Sequence, residues 1–129
     1  MILMPEGAFT ISDLAREFEL TSRAIRHYEH MGLIHPGRRG SVRLFSEGDR
    51  KRLRLVLRGK RLGFSLEEIK AMLDLHYALP GEVANPDALL RTIAGHRETL
   101  LRLRDDVGMA LSWLDLLEGR CRTHQKIPA

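Results

Sequence analysis

The residues best equipped for chemistry in this chain are cations, and they are crowded together. From Leu20 to Arg61 twelve Lys and Arg stand against three acids, Glu29, Glu47 and Asp49. From His76 to Ala129 the two classes balance, seven against seven. Within the basic stretch Arg23, Arg26, His27 and His30 recur at helical spacing. Guanidinium and ammonium groups massed in one region suit a polyanion, whose charge they neutralise with release of its counterions. A solvated basic face would carry the same charge without a partner, so the arrangement of the elements has to decide between the two.

Other chemistries are poorly served. The single cysteine, Cys121, can form neither an internal disulfide nor a thiolate cage. His27 and His30, three apart with His35 near, have metal-ligand spacing, but in a cationic helix they suit phosphate or base contacts, or simply a surface. Cys121 and His124 could hold a metal only if two copies shared the site. The acid pairs Glu67-Glu68 and Asp105-Asp106 are adjacent, so neither shares a helix face. No Gly-rich phosphate loop, nucleophile elbow or HExxH string occurs. No enzyme activity, no resident metal and no cofactor is expected. The composition is 43% apolar without a run near the ~20 residues of a membrane span. The start at Met1 has no basic segment leading into a long apolar stretch. A cytoplasmic protein with no membrane partner is expected.

The elements that must position the cations can be read from caps and breakers. Residues 1–9 read as a flexible arm. Thr10, with Asp13 three residues on, caps a short helix whose Ile11, Leu14, Ala15 and Phe18 share a face. Thr21 caps a second helix from Ser22 to about His30, ended by Gly32. Two short helices joined by a tight turn make a helix-turn-helix. Packing through Leu14, Phe18 and Ile25 would leave Ser22, Arg23, Arg26 and His27 free to enter a DNA major groove. Pro36, Gly37 and Gly40 then break helicity. Val42, Leu44 and Phe45 suit a short strand, so a basic hairpin containing Arg38, Arg39 and Arg43 follows, placed to reach phosphates as a wing. Ser46 caps a helix from Glu47 to Leu62, closed by Gly63. Ser65 with Glu68 forms a capping box for the next helix, to about Leu75.

Residues 76–85, with Leu79-Pro80-Gly81, read as a connection. Asn85 and Pro86 open a last helix predicted over 86–119, with 120–129 as a tail. Alternating steps of three and four give Leu89, Ile93, His96, Leu100, Leu103, Val107, Ala110, Leu114 and Leu117 as a seam, apolar but for His96. A helix this long with one apolar seam needs a partner. A second copy running antiparallel satisfies it, since two-fold dimers are the commonest oligomers; folding back on its own head is the other way to cover it. The fold class expected is mainly α: a winged helix-turn-helix head over 10–75 followed by a long antiparallel coiled-coil dimerisation helix. A coiled-coil adaptor with no DNA role would need no basic concentration over 20–61.

Several strings resemble the MerR family of bacterial transcription regulators. They are Thr-Ile-Ser-Asp-Leu-Ala (10–15), Arg-Ala-Ile-Arg-His-Tyr-Glu-His-Met-Gly-Leu-Ile (23–34), Pro36 with Arg38, Arg43-Leu-Phe, and Arg-Gly-Lys-Arg-Leu-Gly-Phe-Ser-Leu-Glu-Glu-Ile (58–69). The resemblance covers 10–75; the long helix agrees with the family in kind. It implies that Arg26 and Tyr28 belong to the recognition helix, with His27 where the family usually has Tyr or Phe. It implies that Arg43 is the wing arginine, in a wing that reads Ser41-Val42-Arg43 where the family commonly has Gly-Tyr-Arg. Lys60 and Arg61 become phosphate contacts of a second, helical wing. With Thr21 at the helix start, the expected DNA contacts are Thr21, Ser22, Arg23, Arg26, His27, Tyr28, Arg38, Arg39, Arg43, Lys60 and Arg61.

The resemblance also implies a mechanism. A dimer binds a palindromic promoter whose spacer is too long for RNA polymerase, and distorts it to bring the promoter elements into phase. The effector is unknown. Metal-sensing relatives use cysteines near the end of the long helix, where this chain has only Cys121. The short tail and the 58–66 string look similar to regulators of leucine–isovalerate and fatty-acid breakdown genes, which implies an organic acid or acyl thioester.

Overall fold

In a computed structural model, residues 7–126 are described, and they form five helices and one hairpin. The order is α1 (Ile11–Phe18), α2 (Ser22–His30), β1 (Gly37–Arg39), β2 (Val42–Leu44), α3 (Glu47–Arg61), α4 (Leu66–His76) and α5 (Pro86–Lys126). The chain divides into two compact units after Glu82, inside the predicted connection.

The head is built by capping. Thr10 and Asp13 close a reciprocal box on α1, Ser46 and Asp49 on α3, and Ser65 and Glu68 on α4. Each satisfies two backbone donors that a helix start would otherwise leave open. The Thr21 hydroxyl accepts the Ala24 N–H at 3.0 Å and starts α2. The Asn85 side chain accepts the Ala88 N–H at 3.2 Å and starts α5.

The core lies between these helices and the foot of the hairpin. Leu14, Ile25, Leu33, Ile34, Leu53 and Val56 are fully buried, and Phe45, Ile69, Tyr28 and Leu73 nearly so. Helices α3 and α4 pack closely because residue 59 is Gly: a Cβ there would lie 2.9 Å from Cγ1 of Ile69. The hairpin pairs antiparallel, with Gly37 opposite Leu44, Arg38 opposite Arg43 and Arg39 opposite Val42.

Two expected boundaries are corrected. Met1 to Glu6 of the expected flexible arm lie outside the described residues. Phe9, however, is tied down by two 2.8 Å backbone hydrogen bonds with Phe45, and the Arg50 guanidinium lies 5.5 Å from its ring centre. The arm thus ends before Phe9. At the other end Gly119 does not stop α5, which runs on to Lys126. A glycine inside a helix costs only about 1 kcal/mol, and its neighbours resist a break. Glu118 pairs with Arg122 one turn on at 3.0 Å, and the Thr123 hydroxyl donates to the Gly119 carbonyl. Most of the expected tail over 120–129 is therefore helix, and α5 spans about 60 Å. No helix among the described residues is long and apolar enough to cross a membrane.

In the second unit the seam is open. Leu89, Ile93, His96 and Leu100 are partly covered, whereas Leu103, Val107, Ala110, Leu114 and Leu117 are exposed. Trp113 is 62% exposed beside them. Continuing the steps of four and three from Leu117 brings Cys121 and His124 onto the same line, now inside the helix.

Candidate nucleic-acid interface

Helix α2 has two opposed faces. Ile25 and Tyr28, three residues apart, are buried in the core. Arg23, Arg26, His27 and His30 are exposed and Ser22 is half-buried. The packing of α1 on α2 through Leu14 and Ile25 fixes which face is turned outward, as expected for a reading helix. The absence of acid in the first turn leaves its positive dipole end uncompensated.

Three contacts tie flanking cations to α2. The Arg43 Nε donates to Glu29 Oε2 at 2.8 Å, and an Arg38 terminal nitrogen lies 3.7 Å from Glu29 Oε1. These link the hairpin to the second half of α2. At the end of α3, the Lys60 ammonium lies 5.8 Å from the centre of the Tyr28 ring, a cation–π approach that links the second basic wing to the same helix. Arg38, Arg39, Lys60 and Arg61 are exposed and Arg43 is half-buried. The face so assembled can hold several phosphates and present an arginine pair on α2 to base edges.

One expected contact needs correction. Tyr28 is only 5% exposed and belongs to the core, where its ring packs beneath the Lys60 ammonium. Its spacing from Ile25 carried that signal. Thr21 serves as the cap of α2.

Two residues that the sequence offered only as acids prove to hold the site together. Glu29 is the partner of Arg38 and Arg43 in the wing. Asp49 is the buried charge of the head, 5% exposed; its Oδ2 accepts the Ser46 N–H and hydroxyl, and its Oδ1 accepts the His35 N–H at 3.0 Å. Periodicity gives no sign of either role. The Ser46-x-x-Asp49 spacing does predict the local half of the second.

Elsewhere, Arg50 bridges α1 to α3 through Glu17 at 2.8 Å and reaches Glu47 at 3.1 Å. The hydrogen bond to Glu17 is the main reason the Arg50 pKa is raised. The Asp13 carboxyl is held below its ordinary value mainly by the Thr10 N–H it accepts, then by the Thr10 hydroxyl. Among the described residues no three His, Cys, Asp or Glu side chains gather as a metal site would require.

Comparison with known proteins agrees with this geometry. Residues 9–75 match the model of the MerR HTH family regulatory proteins, and residues 50–115 match the model described as MerR, DNA binding. The transcriptional regulator YfmP of Bacillus subtilis (strain 168) is 33% identical over 120 residues, which cover 89% of this chain and 81% of that protein. The heavy metal-dependent transcription regulator 2 of Rhizobium meliloti (strain 1021) is 40% identical over 67 residues, 50% of this chain and 46% of that one. Among solved structures, a MerR family regulator from Bacillus cereus is 28% identical with a TM-score of 0.54, over 94% of this chain and 87% of that one. HiNmlR, described as a MerR family regulator lacking the sensor domain and bound to promoter DNA, shares the fold at 23% identity and a TM-score of 0.66, covering 92% and 87%. The subgroup governing leucine, isovalerate and fatty-acid breakdown gains no support from these relatives. The outward basic face of α2, the wing and the family match together make this chain a member of the MerR family, a DNA-binding transcription regulator with a helix-turn-helix head.

Proposed function

We propose that two copies of this chain pair antiparallel through α5 and bind a palindromic promoter, distorting its spacer so that RNA polymerase can engage or is kept from engaging. The observation that carries this reading is the open seam: Leu103, Val107, Leu114 and Leu117 stay 39–56% exposed along one line of a 41-residue helix. Exposed apolar side chains in that repeat have their natural partner in a second, identical helix. A two-fold axis then presents two α2 helices to the DNA, and a palindrome is the sequence counterpart of that symmetry. The many backbone-directed cations fit a protein that spends binding energy on bending and untwisting, which costs on the order of 1–6 kcal/mol for a promoter-sized site. The site of action is the cytoplasm, where the promoter lies. Thr21, Ser22, Arg23, Arg26 and His27 are the reading contacts; Arg38, Arg39, Arg43, Lys60 and Arg61 hold phosphates. The effector in this reading is a small organic molecule, because a chain with one cysteine cannot supply a multi-thiolate site from one subunit.

One observation favours a second reading of the effector. Because α5 continues to Lys126, Cys121 and His124 lie three apart on one helix face, so a soft metal shared between two copies is the competing signal.

Selection of binding sites from random duplex DNA by the full-length protein tests the main reading. The recovered sites should be palindromic. Arg26→Ala should weaken binding to them by about 1–3 kcal/mol while the dimer persists. Recovery of no preferred sequence, or unchanged binding by that variant, would remove α2 as the reader.

A further inference from the structure

We propose that Glu29 is a positioning residue of the DNA interface: it holds the wing against the reading helix and presents the Arg43 guanidinium to a backbone phosphate. This rests on α2 and the hairpin being the DNA-facing elements. The hairpin is an unpromising platform by itself. Each strand has three residues, and an isolated two-stranded ribbon is marginal in water. Its central cross-strand pair is Arg38 opposite Arg43, and like charges directly opposite destabilise a ribbon.

Glu29 answers both difficulties. One carboxylate oxygen takes the Arg43 Nε–H at 2.8 Å, while the other faces an Arg38 terminal nitrogen at 3.7 Å. The first is a charge-assisted hydrogen bond; the second is too long for one and acts through charge alone. The bond occupies the Nε edge of Arg43, and the two terminal nitrogens are not used in it. A planar guanidinium can thus be held on one edge and offered on another, which a lysine cannot do. Glu29 is also the only acid in α2. Plain charge counting says that removing it should tighten binding to DNA. Positioning says the opposite, so the sign of the effect separates the two.

The test uses the full-length protein and the duplex recovered by selection, with binding followed by fluorescence anisotropy at several salt concentrations. Glu29→Gln should bind on the order of tenfold more weakly, the scale of one hydrogen bond to a charged group. The double variant Glu29→Gln with Arg43→Ala should bind no more weakly than Arg43→Ala, because the two residues act as one unit. Backbone amides of residues 37–44 should exchange faster in the DNA-free Glu29→Gln protein, with those of α3 unchanged. Equal or tighter binding by Glu29→Gln overturns the proposal, as do losses that multiply in the double variant. Should Gln unsettle α2 by circular dichroism, Glu29→Asp carries the same test, since its shorter arm also loses the 2.8 Å contact. Arg26→Ala on the same duplex separates the two levels. If it binds like the parent, the reading of α2 fails; if it loses binding while Glu29→Gln does not, only the positioning role fails.

Discussion

The His35 backbone N–H donates to the buried Asp49 carboxylate at 3.0 Å, joining the segment after α2 to the first turn of α3. The same carboxylate accepts the Ser46 N–H and hydroxyl, so it clasps both ends of the excursion that forms the wing. Asp49→Ala would leave these donors without their acceptor at a buried position. The expected loss is about 2–3 kcal/mol, with Asp49→Asn losing less because one oxygen remains. Urea unfolding at fixed protein concentration checks it. A loss under half a kcal/mol would mean that water replaces the carboxylate.

That clasp also shows where sequence reading stops. The boxes of Thr10 with Asp13 and Ser65 with Glu68 were legible because both partners lie one helical turn apart, a local pattern that needs no tertiary structure. The His35–Asp49 and Arg43–Glu29 bonds each join residues fourteen apart, across a turn whose geometry no local pattern fixes. The burial of Tyr28 departs from expectation for a different reason. The resemblance counts Tyr28 among the contacts, whereas its spacing from Ile25 puts it on the buried face. Gly119 by itself predicts a stop, but it lacks a companion that would favour leaving the helix, and the Glu118–Arg122 pair spans it.

Acid should reveal the cap of α1. Thr10 holds the Asp13 carboxyl below its ordinary value of 3.8, so the ionised form is favoured in the folded state. The stabilisation is then fully present above that value and is lost as pH falls below 3.8 through the folded pKa. Thermal melts of the parent and Asp13→Asn should differ at pH 7 and converge below pH 3.8. A difference that stays constant down to the lowest pH would show that the carboxylate charge contributes nothing to the cap.

Leu103 lies mid-seam and is 42% exposed in the single chain. Covered by a second helix, Leu103→Asp would bring a carboxylate into an apolar seam, a cost that the ion avoids only by keeping the seam open. Sedimentation equilibrium is expected to show monomer at concentrations where the parent is a dimer. Helicity should fall too, because a long helix without its partner relies on weak propensity alone. A variant that still sediments as a dimer would remove the seam as the interface.

The direction of pairing can be read from Cys121. It is exposed in the single chain and continues the seam line. Two helices paired antiparallel about the middle of α5 would hold their two Cys121 sulfurs about 45 Å apart. A disulfide needs Cα atoms within roughly 7 Å, so no bond can form inside such a dimer. Parallel, in-register helices would instead set Cys121 against its own copy. Treatment of the dilute dimer with diamide, followed by a non-reducing gel, should therefore leave single chains. A high yield of disulfide-linked dimer would mean parallel helices. The two-fold axis would then run along the helices instead of across them, which overturns the antiparallel seam and leaves a palindrome the matching form of site, since either pairing is two-fold.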